Sequence, residues 1–178
     1  VDPATGKQMG LETGDPREFK TIEEFKDALK KQILHHYDLS RIGYNLMQSI
    51  HMNRYPVIFA SMVTKGCVES GKSVQHGGAK YSTAGMYVTG PANLADCIVA
   101  IETCVFKDHD VTMDELIRAC DTNFEGQERL RQLLLNKPEK YGNNQAHVDA
   151  VYKEMVDFIA ENVQQWHDAR GGYYAFGI

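Results

Sequence analysis

Residues 66–73 combine residue types that occur in two kinds of reactive loop. Their spacing, G-x-x-x-x-G-K-S, matches the glycine-rich loop that cradles nucleotide phosphates. Such a loop follows a buried strand and opens a helix, whereas residues 56–65 lack the apolar density of a strand and residues 74–78 indicate a loop. Glu69 would also set a negative charge against bound phosphate. Nucleotide binding by Gly66–Ser73 is therefore the less favoured hypothesis for this segment.

Cys67 and Glu69 suggest a second chemistry, because a thiol lies two positions from a carboxylate. In a thiyl-radical enzyme the cysteine sulfur abstracts a hydrogen atom from the substrate, and a nearby glutamate acts as acid or base. Free cysteines, however, are among the most buried residues and usually serve in packing. We interpret Cys67 as structural, keep Cys67 with Glu69 as an alternative catalytic pair, and assign no catalytic residue.

The histidines and cysteines lack the spacings that hold a metal ion. Seven histidines occur without an H-x-x-x-H or H-E-x-x-H pair, and the four cysteines form no C-x-x-C pair. His35 and His36 are adjacent, which points them about 100° apart on a helix and makes a poor chelate. The sequence therefore predicts no metal-binding and no cofactor-binding residue. Unpaired cysteines also favour reduced thiols in a cytoplasmic protein.

The composition is that of an ordinary globular chain. Its 178 residues are 43% hydrophobic and 24% charged, and 19 basic against 24 acidic residues give a formal net charge of −5. This acidic balance argues against nucleic acid as a partner. No apolar run approaches the roughly 20 residues that cross a membrane, so no membrane partner is expected.

The elements that must position these residues are mostly helical. Residues 1–20 are turn-rich, and residues 21–178 show helical periodicity interrupted by one strand pattern. Capping boxes at Thr21–Glu24 and Thr112–Glu115 mark two helix starts. The predicted helices are 22–51 with a bend or break near Gly43, 56–63, 92–106, 113–120, 126–136 and 146–169.

Residues 80–89 form the clearest strand pattern, with β-forming residues between glycines. The backbone donors and acceptors of a strand need partners, so a single strand is not stable alone. The pattern therefore predicts missing neighbours, which would come from the rest of a larger chain or from another copy.

Several short segments follow one another in a recognisable order along nearly the whole chain. They are Asp2–Gly6 with Thr13–Thr21, Cys67–Lys72 with Gly77–Tyr81, Ala92–Asp96 with Ala100–Ile101, Lys140–Asn144 with Val148–Asp149, and Arg170–Gly172. Together they resemble the glycyl radical enzymes, the pyruvate formate-lyase superfamily. The resemblance is strongest to the dehydratase and choline-lyase branch of that superfamily.

The resemblance implies a mostly α-helical segment with one or a few β-strands, part of a ten-stranded α/β barrel within a single pyruvate formate-lyase-type domain. The segment would supply the barrel strand at residues 80–89 and a set of outer helices. Members of the family carry a protein glycyl radical, installed by a radical SAM activating enzyme. They cleave C–C, C–O or C–N bonds or dehydrate small molecules in anaerobic metabolism. Their catalytic Cys and Gly loops are not evident in this sequence. Gly66–Glu69 is similar to the Cys loop, but its flanks match a later segment of the family, and Arg170–Tyr173 lacks the valine and the spacing of the radical loop. We therefore expect the chain to be inactive alone.

Tyr81, Ser82 and Thr83 are the residues that the resemblance places nearest the barrel cavity, because alternate strand positions point inward. The implied partners are the remainder of the enzyme or a second subunit, including a homodimer. An alternative is a helical protein-interaction module. In that case the strand and the apolar end Tyr173–Ile178 would dock on a partner or on a second copy.

Overall fold

The computed structural model describes residues 4–178, so the first three residues of the predicted turn-rich segment lie outside the described residues. In chain order the main elements are α1 Ile22–Arg54, α2 Ile58–Val63, α3 Cys67–Ser70, β1 Thr83–Tyr87, α4 Pro91–Ile101, α5 Met113–Asp121, α6 Glu128–Asn136, α7 Ala146–Val163 and β2 Tyr173–Gly177. A π-helical turn, Glu102–Lys107, continues α4. None of the helices within residues 4–178 has the length and apolar content needed to cross a membrane.

Side-chain caps explain where two of the helices begin. Thr112 Oγ1 accepts a hydrogen bond from the Glu115 N–H at 3.2 Å, and Glu115 Oε2 accepts one from the Thr112 N–H at 2.8 Å. Thr21 Oγ1 accepts from the Glu24 N–H at 3.2 Å, and Glu24 Oε2 accepts from the Lys20 N–H rather than from that of Thr21. These bonds fill donors that a first helical turn leaves unpaired, so both helix starts predicted from the sequence are confirmed.

One compact unit contains the described residues up to Ile33 together with Gly90–Asp157. Its core is a cluster of apolar side chains from α1, α4, α5 and α7. The most deeply buried members are Ala95, Ile98, Val99, Cys104, Val148 and Met155. The periodicity of the sequence predicts these core faces, because residues three and four apart share one side of a helix.

A second compact unit contains Leu34–Thr89 together with Phe158–Ile178, and it holds the sheet. β1 and β2 pair in parallel, with Thr83 opposite Tyr173 and Tyr87 opposite Gly177. Parallel neighbours cannot be joined by a tight turn, and here residues 88–172 form the connection. Among the described residues the sheet has two strands, so each strand has one edge without a partner strand there.

The expected fold, mostly α with one or a few strands, is confirmed, and β2 is a strand that the sequence did not locate. β1 is shorter than the predicted 80–89, and β2 occupies residues that the alternative hypothesis, an interaction module, interpreted as an apolar docking end. Tyr173–Gly177 forms a strand because Gly171 turns the chain with a φ of +83° and a run rich in aromatic residues follows. One of the predicted missing neighbours therefore lies within the chain itself.

Among the helix boundaries, the ends of the two longest helices differ most from the prediction. α1 continues through Gly43 to Arg54, beyond the predicted end at His51. α7 ends at Val163 rather than at Ala169. The reason for the earlier end is Asp168. Its backbone N–H donates to the Gly172 carbonyl, and its side chain accepts from the Gly172 N–H, which holds residues 168–172 in a loop.

Candidate functional site

One face of the two-stranded sheet is covered by α1 and by the segment before β2. Ala84 and Tyr174, on that face, are fully buried. Tyr174 Oη donates a hydrogen bond to Asn45 Oδ1 of α1 at 2.8 Å, and the Trp166 ring meets the Tyr174 ring edge-on with centroids 6.4 Å apart. Burial raises the pKa of Tyr174, so its hydroxyl remains a donor at neutral pH.

The opposite face of the sheet, which we call the open face, is accessible. Side chains alternate across a strand, so the neighbours of Ala84 and Tyr174 point to this other side. The open face consists of Thr83, Gly85 and Tyr87 of β1 and Tyr173, Ala175 and Gly177 of β2. Tyr87 is 74% exposed and Tyr173 is 58% exposed. None of the six residues is charged, so the open face offers small groups, aromatic rings and hydroxyls.

A buried carboxylate fixes the start of β2 beside β1. The Asp168 side chain is fully buried, and its Oδ1 accepts hydrogen bonds from the backbone N–H groups of Arg170 and Gly172. Its Oδ2 accepts from Gln48 Nε2 at 3.0 Å and from Arg170 Nε at 2.9 Å. Arg170 also donates to the Thr83 carbonyl at 3.0 Å, which ties the loop to β1. Burial disfavours the charged carboxylate, but these donors outweigh burial and hold the pKa of Asp168 below its ordinary value.

The predicted cavity residues lie at the beginning of this sheet. Thr83 is the first residue of β1 and belongs to the open face. Tyr81 and Ser82 precede the strand: Tyr81 is 81% exposed, with Lys80 Nζ 5.5 Å from its ring centroid, and Ser82 is half-buried. Sequence reasoning missed Tyr87 because it selected only the start of the predicted strand. It missed the β2 residues because they join the open face only through pairing with β1, which is distant in sequence.

Cys67 begins the single-turn helix α3 and is 3% exposed. Glu69 Oε2 accepts a hydrogen bond from the Gly66 N–H at 2.9 Å and so caps this turn. Gly66 has a φ of +99°, and a Cβ there would lie 2.5 Å from the Lys80 backbone N, so the turn requires glycine. These contacts fit the structural interpretation of Cys67 and Glu69, and their catalytic role stays the alternative prediction.

The G-x-x-x-x-G-K-S motif lacks the surroundings of a phosphate loop. It follows helix α2 rather than a strand, and the Glu69 carboxylate already accepts from the Gly66 N–H. After Ser73 the chain enters the short 3-10 turn Val74–His76 rather than a long helix. The geometry of Gly66–Ser73 therefore gives no support to nucleotide binding.

Titratable side chains of the first unit form ion pairs. Buried Glu102 lies 2.6 Å from Lys107 Nζ and 2.7 Å from His147 Nε2. Burial opposes ionisation of Glu102, but these two partners outweigh it and lower its pKa. Within residues 4–178 no group of three or more His, Cys, Asp and Glu side chains is placed to hold a metal ion. All four cysteines are free, Cys67 and Cys104 being buried and Cys97 and Cys120 exposed.

Comparison with known proteins identifies relatives of this chain. The model of the pyruvate formate lyase-like family matches residues 1–178. Trans-4-hydroxy-L-proline dehydratase of Clostridioides difficile is 36% identical over 173 residues, which cover 97% of this chain and 22% of that enzyme. The crystal structure of hydroxyproline dehydratase from the same organism, with trans-4-hydroxy-L-proline bound, matches 98% of this chain and 22% of its own with a TM-score of 0.92 and 35% identity. The glycerol-bound B12-independent glycerol dehydratase of Clostridium butyricum matches with a TM-score of 0.91 and 31% identity over 98% of this chain and 22% of that enzyme.

These matches extend over both units of the chain. The chain spans about a fifth of the length of the relatives it matches. The fold of residues 4–178, two parallel strands among many helices, is a segment of the α/β barrel of the glycyl radical enzymes. The resemblance seen in the sequence is thus confirmed, and the chain belongs to the pyruvate formate lyase-like family.

Proposed function

We propose that the chain forms part of the barrel wall of a glycyl radical enzyme that dehydrates a small molecule or cleaves one of its C–C, C–O or C–N bonds. The observation that carries this proposal is the sheet, which has parallel strands, helical cover on one face and an open face without charge. In an α/β barrel the helices surround the outside, and the other face of each strand lines the interior. The open face is therefore the surface that we assign to the reaction cavity.

The relatives support a small hydroxylated substrate. One relative is a dehydratase of trans-4-hydroxy-L-proline, and another structure contains glycerol. Both compounds are compact and carry hydroxyl groups. An open face of small residues, rings and hydroxyls suits such compounds, and loss of water is the reaction that we favour.

The chain's own residues would position the wall and exclude water. Radical intermediates need a closed cavity that keeps out solvent and competing reactants. Asp168 and Arg170 hold β2 beside β1, and Thr83, with Tyr81 and Ser82 next to it, would border the cavity. We assign the radical chemistry itself to a cysteine and a glycine in other segments of the longer protein. A radical SAM activating enzyme would install the glycyl radical.

Anaerobic production of the longer protein with its activating enzyme tests the proposal. We expect a glycyl radical signal in EPR and loss of water from trans-4-hydroxy-L-proline, glycerol or 1,2-propanediol, followed by mass spectrometry of the dehydrated product. This chain alone should give no turnover. Turnover by the purified chain, or a longer protein that shows no glycyl signal after activation, would contradict the proposal.

The setting of the enzyme follows from the same proposal. Glycyl radicals are destroyed by oxygen, so we predict a role in anaerobic metabolism, and the free cysteines agree with a cytoplasmic location. The predicted partners are the remainder of the enzyme, the activating enzyme and a second copy in a homodimer.

A helical interaction module is the second candidate, favoured by apolar side chains exposed on α1 and α2. Ile42, Leu46, Phe59 and Val63 are each more than half exposed. As a module, the chain would bury these side chains against a protein partner. Size-exclusion chromatography with light scattering tests the module. A clean monomer that binds no apolar dye would argue against the module.

A further inference from the structure

The Tyr87 ring lies flat on the open face instead of standing away from it. Tyr87 ends β1, is 74% exposed and pairs in register with Gly177 of β2. A Cβ built on Gly177 would lie 2.7 Å from Tyr87 Cε1, and one built on Gly85 would lie 2.8 Å from Tyr87 Cε2. Cβ atoms do not approach a ring this closely, so the ring occupies space that two absent side chains leave free.

Gly85 and Gly177 are needed here for space and not for backbone conformation. Neither is among the glycines with positive φ, so an alanine can adopt the backbone conformation of either. An alanine cannot coexist with the ring in its present place. The ring is the exposed end of a side chain with rotatable bonds, so it would turn away from the sheet while the strands stay in place.

We propose that Tyr87 is a specificity-determining residue of the reaction cavity, and that Gly85 and Gly177 set the width of the cavity by letting its ring lie flat. This inference rests on the proposed function, because it needs the open face to line the cavity. The ring presents its apolar face to whatever packs against the sheet. Since the open face carries no charge, the ring contacts the uncharged carbon skeleton of the substrate.

Two substitutions should change the cavity in opposite directions. Tyr87→Ala removes the ring and widens the cavity, which favours a substrate that is one methylene group longer. Gly85→Ala lifts the ring off the sheet and narrows the cavity, which disfavours the longer substrate. One methylene group in an apolar pocket changes discrimination by about 10-fold or more. We therefore expect shifts of about 10-fold in the preference for the longer substrate, upward in Tyr87→Ala and downward in Gly85→Ala.

The test uses the longer enzyme, activated anaerobically. The substrate pairs are 1,2-propanediol with 1,2-butanediol, and trans-4-hydroxy-L-proline with its six-membered-ring homologue. For each pair we compare kcat/KM of the larger and the smaller compound in the wild type, Tyr87→Ala, Gly85→Ala, Tyr87→Phe and the control Tyr55→Ala. Tyr55 is 66% exposed and lies outside the sheet, so the control removes an exposed tyrosine without altering the open face.

A second measurement separates binding from radical chemistry. Calorimetric titration of the same pairs into enzyme that has not been activated gives a ratio of dissociation constants for each variant. This ratio should shift in the same direction as the kcat/KM ratio. A purely structural role of Tyr87 would lower activity toward both compounds alike and leave both ratios unchanged.

The proposal is supported when the kcat/KM ratio of the larger to the smaller compound rises in Tyr87→Ala and falls in Gly85→Ala. The same ratio should stay near the wild-type value in Tyr87→Phe and Tyr55→Ala. Ratios within about twofold of the wild type in both test variants overturn it. If Tyr87→Ala yields no folded enzyme, Tyr87→Leu takes its place with the same expectation. A wild type without glycyl signal or turnover overturns the proposed function and this role with it, whereas normal wild-type turnover with unchanged ratios overturns this role alone.

Discussion

Asp168→Asn perturbs the buried network that joins the two strands. The asparagine keeps one oxygen to accept from the backbone N–H groups of Arg170 and Gly172. Its NH2 group, however, would replace Oδ2, which accepts from Gln48 Nε2 and from the Arg170 guanidinium. The N–H groups of Gln48 and Arg170 would then face the asparagine NH2 group at a fully buried position, with no acceptor between them. The charge of Arg170 would also lose its partner.

The size of the effect follows from the burial of this pair. Arg170 has 17% of its side chain exposed and Asp168 has none, and removing one partner of a buried pair costs about 3–5 kcal/mol. Arg170 keeps its bond to the Thr83 carbonyl, so we expect the lower end, about 3 kcal/mol in the free energy of unfolding. Asp157→Asn is the matched control. Its ion pair with Lys153 is exposed and should contribute no more than about 0.5 kcal/mol.

Urea unfolding followed by tryptophan fluorescence measures the loss. Trp166 is the single tryptophan and contacts Tyr174, so its emission reports on the unit that contains Asp168. Because folding lowers the pKa of Asp168, this carboxylate becomes protonated at a higher pH in the unfolded chain than in the folded chain. The stabilisation is therefore present in full above about pH 5, and the difference between wild type and Asp168→Asn should shrink below about pH 4.

A double variant tests the cause as well as the size. Asp168→Asn combined with Arg170→Met leaves no uncompensated charge, so it should be more stable than Asp168→Asn alone by about 1 kcal/mol or more. The reasoning is refuted if Asp168→Asn costs less than about 1 kcal/mol, or if the double variant is no more stable than the single one.

Three further substitutions test single elements in the same unfolding assay. Gly66→Ala should lower the free energy of unfolding by about 2 kcal/mol, because φ is +99° and a Cβ would lie 2.5 Å from the Lys80 backbone N. The control Gly71→Ala should lower it less, because a Cβ at Gly71 would meet open space. Thr112→Ala removes the cap of α5 and should cost about 1 kcal/mol, whereas Thr112→Ser should stay near the wild type. Tyr174→Phe removes the hydroxyl that donates to α1 and should also cost about 1 kcal/mol. An unchanged stability in any one of them would show that the corresponding contact does not stabilise the chain.

The helical part of the fold was predictable because its signals are local. The caps at Thr21 and Thr112 and the periodic apolar residues lie within one or two turns of the elements that they specify. β2 carried a local signal too, since aromatic residues follow the glycines of the Arg170–Gly172 segment. Its role as a strand depends on pairing with β1, and a contact between residues 90 positions apart leaves no periodic pattern in either segment.

The candidate site was less predictable for the same reason. Asp168 reads in the sequence as one more polar residue near the end of an amphipathic helix, and only its contacts with Gln48 and Gly172 show that it ends the helical region. The flat ring of Tyr87 depends on Gly85 in its own strand and on Gly177 in the other. Residue types at fixed spacing identified the family, whereas the geometry of the open face came from pairing between distant segments.

The unequal exposure of apolar side chains supports the assignment of the second unit to a barrel wall. In residues 90–157 the exposed large apolar side chains are Leu135 and Tyr141. Residues 39–68 of the second unit expose far more, namely Leu39, Ile42, Leu46, Met47, Ile50, Tyr55, Val57, Ile58, Phe59, Met62, Val63 and Val68. Apolar area of this extent gains roughly 25 cal/mol for each Å² that a neighbour covers. A barrel wall needs such neighbours along its helices and at both outer edges of its strands, so the exposed helix faces and the strand edges without partners among the described residues fit this assignment.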